Sequence, residues 1–151
     1  MIDRIGRWDI YVLETGFFKL DGGAMMGSVP KVLWEKTNPA DDKNRIDLSL
    51  RCLLLDDGEH RILIETGMGN KFNSKFKDIF RIKQSNDPLI DALSEYDFCA
   101  DDITDVILTH LHFDHAGGAT RILENGSIVP TFKNAKYFVS ETNWDLGINP
   151  N

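Results

Sequence analysis

Short apolar segments bounded by turn-forming residues run through most of the chain. Their β-branched and aromatic residues favour strands, and Thr15-Gly16 and Asp56-Asp57-Gly58 interrupt them. The second interruption is typical of a hairpin turn between two antiparallel strands. The continuous apolar run within 105–109 instead predicts a strand that is buried on both faces, as in a parallel sheet. The predicted strands occupy residues 8–13, 17–20, 47–55, 61–64, 105–109 and 137–139.

Helical spacing of apolar residues predicts helices between these strands. The clearest case is the run of phenylalanines in 70–81, which recur at intervals of four residues. Asp87 is a plausible N-cap for a second helix, because Pro88 would then occupy its first turn. The glycine-rich segment 21–27 predicts a flexible loop, and an ordered segment from Pro30 to Trp34 follows. The predicted helices occupy residues 70–81, 88–96 and 141–146. Together with the strands, they indicate the α/β class.

One segment, His110-Leu-His112-Phe-Asp114-His115, contains three of the four histidines of the chain. It directly follows the strand predicted over 105–109, and loops beyond the carboxyl ends of such strands commonly bear ligands. His110 and His112 project to the same side of an extended chain and therefore suit one metal ion. Asp114 and His115 follow as the chain turns and suit a second. The alternative is a cluster of surface or core histidines, but no packing requirement explains so dense a cluster.

Two divalent metal ions at such a motif would activate water for hydrolysis, because a shared hydroxide forms at neutral pH. Imidazole and carboxylate ligands suit zinc, and they also admit manganese, iron and cobalt. We expect Ala116-Gly117-Gly118 to remove side-chain bulk where the backbone approaches the metals closely.

Residues 109–118 resemble the signature of the metallo-β-lactamase superfamily. Within them, the sequence HLHFDHAGG is similar to that of the branch that contains the acyl-homoserine lactone lactonases. The strand 62–64 and the following Glu65-Thr66-Gly67 resemble the family strand that ends in Asp-Thr-Gly, with Glu65 in place of the aspartate. The resemblance implies an αββα sandwich with the metals at one edge. It also implies that residues 1–151 form a single partial domain, the N-terminal half of that sandwich.

The resemblance also implies roles for individual residues. The metal ligands would be His110, His112, Asp114 and His115. Asp114 would in addition act in catalysis by passing a proton to the leaving alkoxide. Glu65 and Thr66 are candidates for supporting these ligands. Met25, Met26 and Phe113 are candidates for the substrate pocket, and the alternative for all three is ordinary packing.

The ligand set in this chain is incomplete by comparison with the family, in which a histidine, a bridging aspartate and a last histidine come from the C-terminal half. No histidine follows His115, and Asp145 lies on a predicted solvated helix face. His60 is about 16 Å from Glu65 along the strand, so we expect it not to reach the metals. We expect a fragment of a longer enzyme; the alternatives are a truncated protein that dimerises and a half-domain with residual metal affinity. A lone half-sandwich exposes an apolar sheet face, which predicts a homo-oligomer or poor solubility.

Composition and charge argue against several kinds of binding partner. The net charge of -7 argues against a nucleic-acid partner, because phosphate binding requires clustered Lys and Arg. Cys52 and Cys99 form no CxxC pattern and are predicted to be reduced, structural thiols. No apolar stretch is long enough to span a membrane, so we expect no membrane partner and a cytoplasmic location.

The favoured function is therefore a dinuclear metal-dependent hydrolase that opens a small-molecule ester or lactone. A thioester hydrolase of the glyoxalase II type shares the histidine motif and stays open as an alternative. So does a catalytically incomplete metal-binding module. A redox di-iron flavoprotein is disfavoured, because such proteins usually carry an acidic residue where this chain has His112.

Overall fold

A mixed sheet of six strands forms the centre of the protein in the computed structural model, which describes residues 3–150. The strands of this sheet are β1 (Arg4–Ile5), β2 (Trp8–Asp21), β3 (Arg45–Asp56), β4 (Arg61–Ile64), β5 (Asp105–Ile107) and β8 (Lys136–Phe138), in the order β1-β2-β3-β4-β5-β8. A separate hairpin consists of β6 (Thr120–Ile122) and β7 (Ile128–Pro130). The helices are α1 (Gly22–Met26), α2 (Lys31–Trp34), α3 (Ser74–Ile79), α4 (Pro88–Ser94), α5 (Phe113–Ala116) and α6 (Glu141–Ile148).

The sheet changes from antiparallel to parallel pairing at β4. Strands β1 to β4 pair antiparallel as successive neighbours, and the predicted hairpin turn joins β3 to β4. Strands β4, β5 and β8 are mutually parallel, so their carboxyl ends meet at one edge of the sheet. A parallel pair needs a crossover connection, and the segment with α3 and α4 provides it between β4 and β5. The segments that follow β4 and β5 therefore emerge side by side.

The predicted break at Thr15-Gly16 is wrong, because β2 is one continuous strand with a β-bulge there. Glu14 pairs with Arg51 and Gly16 with Leu50, which leaves Thr15 as the extra residue. Gly16 has φ +133°, and a Cβ at this position would lie 2.6 Å from the Lys83 carbonyl oxygen. A glycine here thus marks a close approach of another backbone segment rather than the end of a strand.

The flexible loop predicted for residues 21–27 is also wrong, because residues 22–26 form α1. Asp21 caps this helix by accepting a hydrogen bond from Ala24 N at 2.8 Å, and Gly27 ends it at φ +56°. The helix predicted over 70–81 is shorter than expected, since Asn73 caps it and α3 begins only at Ser74. Caps, rather than apolar spacing, set these boundaries.

The hydrophobic core lies on one face of the sheet. Leu13, Leu54, Leu63 and Val106 are fully buried there. Helix α4 packs against them through residues that include Leu89 and Leu93. Each such leucine contributes roughly 2 kcal/mol when it is removed from water. This packing holds the parallel strands in place and thereby positions the segments beyond their ends.

The opposite face of the sheet carries a line of apolar side chains in register across five strands. This apolar row consists of Val12, Leu53, Ile64, Ile107 and Phe138. Ile107 is 38% exposed and Phe138 is 49% exposed. Contiguous exposed apolar surface usually marks an interface.

We predict that a second copy of the chain covers the apolar row. We expect sedimentation velocity to show association that increases with chain concentration, and Phe138→Lys to weaken it because a charge would be buried in the interface. Val32→Lys is the matched control, because Val32 lies on α2, outside the row, and is 69% exposed. A wild-type chain that stays monomeric at high concentration would contradict the prediction.

The two thiols are both unpaired and differ in accessibility, since Cys52 is buried and Cys99 is exposed. Burial raises the pKa of Cys52 to about 12. At pH 8 only about one in ten thousand Cys52 side chains would be thiolate, the form that reacts. We therefore expect one thiol to react quickly with a disulfide reagent in the folded chain and the second only in denaturant. The fast reaction should disappear in Cys99→Ser; its persistence there would show that Cys52 is accessible.

Among residues 3–150, no helix combines the length and the apolar composition needed to cross a membrane.

Candidate metal centre

The centre lies where β4 and β5 end side by side. Glu65 follows β4 directly, and its backbone N–H donates to the Ile107 carbonyl at 3.0 Å, which continues the parallel pairing past the last strand residue. His110 and His112 follow β5, and α5 then begins at Phe113 and contains Asp114 and His115. The motif thus begins in an extended segment and ends in a helical turn, as the spacing of its ligands predicts.

The structure brings the motif residues together. The ring centroids of His110 and His112 are 4.7 Å apart, and those of His110 and His115 are 4.0 Å apart. Asp114 Oδ2 lies 3.3 Å from His115 Nε2. Glu65, His110 and His115 each offer a ligand atom, and these three atoms lie within 4.8 Å of one another. It is the one group of this kind within residues 3–150, and His60 is not part of it.

Glu65 connects the two loops of the centre. Its Oε1 accepts a hydrogen bond from the Thr109 backbone N–H at 2.8 Å, and its Oε2 lies 2.7 Å from His115 Nδ1. The residue is buried and adopts φ +68°, a conformation that costs a non-glycine residue about 1 kcal/mol. The glutamate that replaces the family aspartate therefore contacts both the segment after β5 and the last histidine of the motif.

The surroundings of His110 favour its neutral form, and Glu65 orients the ring of His115. A carboxylate at Nδ1 of His115 holds the ring proton there and leaves Nε2 as the nitrogen for a metal. Desolvation lowers the pKa of His110, and the neighbouring His115 and His112 lower it further. A lowered histidine pKa favours the neutral form, which is the form that binds metal. Three imidazoles with the Asp114 carboxylate are a donor set that suits zinc and related divalent ions.

Thr66 and two glycines pack the motif against the segment after β4. The hydroxyl and the backbone N–H of Thr66 both donate to the His115 carbonyl at 2.8 Å. A Cβ at Gly118 would lie 2.1 Å from the Thr66 carbonyl oxygen, and one at Gly117 would lie 2.2 Å from the Met68 carbonyl oxygen. The glycines are thus required for close contact with this backbone, and a close approach to the metals stays a prediction.

Met25 and Phe113, two of the three predicted pocket residues, both lie close to Phe80. Met25 lines a depression with Leu20, Ile79 and Phe80 among others, whereas the depression at His110 and His112 contains neither methionine. Phe113 packs within an aromatic cluster whose other members are Phe18, Phe72, Phe76 and Phe80. This arrangement favours packing as the role of Phe113, and a substrate role for any of the three stays a prediction.

Comparison with known proteins identifies the family. Residues 47–148 match the model of the metallo-β-lactamase superfamily. The chain belongs to this superfamily. An N-acyl homoserine lactonase from Bacillus thuringiensis is 30% identical over 113 residues, which cover 69% of this chain and 41% of the lactonase.

Solved structures of the superfamily share the fold over almost the whole chain. A probable metal-dependent hydrolase from Staphylococcus aureus is 36% identical with a TM-score of 0.88, and the match covers 98% of this chain and 52% of that protein. AidC, a dizinc quorum-quenching lactonase, is 27% identical with a TM-score of 0.72, and the match covers 98% of this chain and 47% of AidC. The chain therefore has the mixed α/β architecture of the superfamily and spans about half the length of these relatives.

Two residues that the sequence did not indicate also hold the superfamily motif in place. Lys71 Nζ donates hydrogen bonds to the carbonyls of Gly117 and Thr120. Asn143 Nδ2 donates to the Thr109 carbonyl at 2.8 Å. Both lie far from the motif along the chain and belong to no recognisable pattern, so only the tertiary structure reveals them.

Glu65→Gln tests the contact between the two loops of the centre. The amide keeps the shape of the side chain, and its oxygen can still accept from Thr109. Its NH₂ group would then face His115 Nδ1 and force the ring proton onto Nε2, the nitrogen meant for the metal. We expect cobalt(II) affinity to fall by about 10- to 100-fold, measured by titration of the visible absorption, with a small change in the unfolding midpoint.

Glu14→Gln is the matched control for this substitution, because Glu14 lies outside the centre and forms an ion pair with Arg51 at the surface. Its cobalt affinity should equal that of the wild-type chain. Equal affinity in Glu65→Gln as well would show that the carboxylate does not orient His115.

Proposed function

We propose that this chain contributes one half of a dinuclear metal centre in a hydrolase that opens lactones or esters. The observation that carries the proposal is the convergence of His110, His115 and Glu65 at the carboxyl edge of the parallel strands. His112 and Asp114 adjoin this group and complete its donor set. Ligands of two kinds, imidazole and carboxylate, at a single strand edge suit a pair of divalent ions.

Bound metal ions would supply a hydroxide at neutral pH and polarise the substrate carbonyl. The residues of the chain prepare the site for this chemistry. Glu65 holds the proton of His115 on Nδ1, so that Nε2 faces the centre. Asp114, whose Oδ2 lies 3.3 Å from that nitrogen, would bind a metal and pass a proton to the departing alkoxide. Asp114 is therefore the proposed catalytic residue, and the three histidines are proposed as ligands.

The remaining ligands are proposed to come from polypeptide outside this chain. A catalytic zinc usually has three protein ligands and a water, so two zinc ions need more donors than the motif provides. Asp145 is exposed on α6, and His60 lies beside Asp57 at the hairpin turn, with 3.5 Å between Nδ1 and Oδ1. Neither belongs to the group. The activity is accordingly a property proposed for the whole protein.

Lactones are favoured as substrates because relatives of this chain are named N-acyl homoserine lactonases. Zinc is favoured because AidC is described as a dizinc enzyme. Thioester hydrolysis and metal binding without turnover are the two alternatives, and a cytoplasmic location stays a prediction.

Metal binding is the first test of the proposal. We expect the purified chain, freed of metal and titrated with cobalt(II), to develop visible absorption typical of nitrogen and oxygen ligands. His112→Ala and His115→Ala should each weaken binding by at least about tenfold, because each removes a direct ligand. His60→Ala is the matched control, since His60 lies outside the group. Equal affinity in all three variants would contradict the metal centre.

The reaction class is tested in the whole protein, loaded with zinc, by titrating the acid released from a lactone, a linear ester and a thioester. We expect the protein to hydrolyse the lactone. A chelator should abolish this activity, and Asp114→Asn should reduce it by at least a hundredfold. Release from the thioester alone would favour the glyoxalase II alternative. No release from any of the three, with metal bound, would favour a binding module.

A further inference from the structure

We propose that Asn143 is a positioning residue for His110, through which helix α6 sets the geometry of the metal centre. This inference rests on the proposed function only in taking His110 to be a ligand. Asn143 is the third residue of α6 and lies at the surface edge of the depression that contains His110 and His112.

The peptide groups that flank Thr109 are held from two sides by side chains. The Thr109 N–H donates to Glu65 Oε1 at 2.8 Å, and the Thr109 carbonyl accepts from Asn143 Nδ2 at 2.8 Å. The first partner comes from the end of β4 and the second from α6. Because the Thr109 carbonyl belongs to the peptide that leads into His110, these two bonds fix the direction in which the first histidine leaves β5.

The amide of Asn143 is itself held in one orientation. Its Nδ2 also lies 2.9 Å from Ser140 Oγ, the hydroxyl that caps α6 by accepting from the Asn143 backbone N–H at 3.3 Å. An amide NH₂ has two hydrogens, so it can donate to the Thr109 carbonyl and to the Ser140 hydroxyl at once. The helix cap and the contact to the motif therefore form one connected network.

Helix α6 touches the motif on the other side of His110 as well. A Cβ at Gly147 would lie 2.7 Å from Leu111 Cδ1, so the helix backbone packs directly on the residue between the first two histidines. Thr109 Oγ1 lies 3.0 Å from His110 Nδ1, which leaves Nε2 as the nitrogen available to a metal. A shift of the Thr109 carbonyl would thus move the His110 ring.

Asn143→Asp separates this positioning from helix stability. The carboxylate has nearly the same shape, cannot donate to the Thr109 carbonyl, and suits the first turn of a helix because it complements the helix dipole. We expect cobalt(II) affinity to fall about tenfold and the visible spectrum of the bound cobalt to change, with the unfolding midpoint close to wild type. If this variant does not fold, Asn143→Ala removes the same donor without adding a charge.

Asn134→Asp is the matched control. Asn134 also donates from Nδ2 to a backbone carbonyl, that of Asp101, over a distance of 3.1 Å, and this contact lies outside the metal centre. The cobalt affinity of this variant should stay within about twofold of wild type. Ser140→Ala removes the cap of α6 and one of the two hydrogen bonds that orient the Asn143 amide. We expect it to lower the unfolding midpoint and to change the cobalt spectrum less than Asn143→Asp does, because the donor to the Thr109 carbonyl remains.

A measurement on the metal-free chain keeps this inference distinct from the proposed function. In Asn143→Asp, the nitrogen-15 resonances of the His110 ring should shift relative to the wild-type chain. Those of the His60 ring should stay unchanged. If the wild-type chain binds no cobalt, metal binding by this chain alone fails, and the His110 resonance still decides the positioning role. Unchanged His110 resonances in a folded Asn143→Asp chain, or equal shifts of His110 and His60, would overturn it.

Discussion

The carboxylate of Glu65 bonds two segments that are far apart in sequence, and the geometry of the candidate centre depends on this contact. One oxygen accepts from the backbone beyond β5, and the other meets His115 after the helical turn. The residue can do this because β4 and β5 are parallel and end together. Its left-handed backbone conformation directs the side chain into the centre at a local cost that the surrounding packing offsets.

The rest of the fold supports that contact. On the buried face of the sheet, Leu63 of β4 and Val106 of β5 belong to the same core cluster as Leu89 and Leu93 of α4. The glycines after the motif let its backbone lie against Thr66 and Met68 without a side chain between them. Lys71 and Asn143 then secure the two ends of the motif by donating to its carbonyls. Most of these contacts involve backbone atoms, so they constrain the path of the chain more than the identity of its surface residues.

Local signals in the sequence predicted those features that local chemistry determines. The density of histidines marked the centre, the apolar run before it marked a parallel strand, and the Asp-Gly turn marked the hairpin. Burial of that strand on both faces is wrong, because Ile107 lies in the apolar row and is 38% exposed. The family match agrees with the α/β sandwich that the motif implied. Features that depend on distant partners were missed. The sequence of Thr15-Gly16 is typical of a turn, whereas the structure places the Lys83 backbone against Gly16. Asn143 looks like an ordinary surface residue of a helix in the sequence, and only the structure shows its hydrogen bond to the Thr109 carbonyl. The glycines of residues 21–27 predict a loop and obscure a helix whose cap is Asp21.

The change from antiparallel to parallel pairing at β4 has a consequence for the order in which the protein folds. Strands β1 to β4 are successive neighbours, so most of their pairing needs no crossover. Strands β5 and β8 join only after long crossovers close, and the entropy of loop closure makes such contacts slow to form. A growing chain would therefore complete its antiparallel ribbon first. The histidines would take up their final arrangement late, after the last described helix has docked on them.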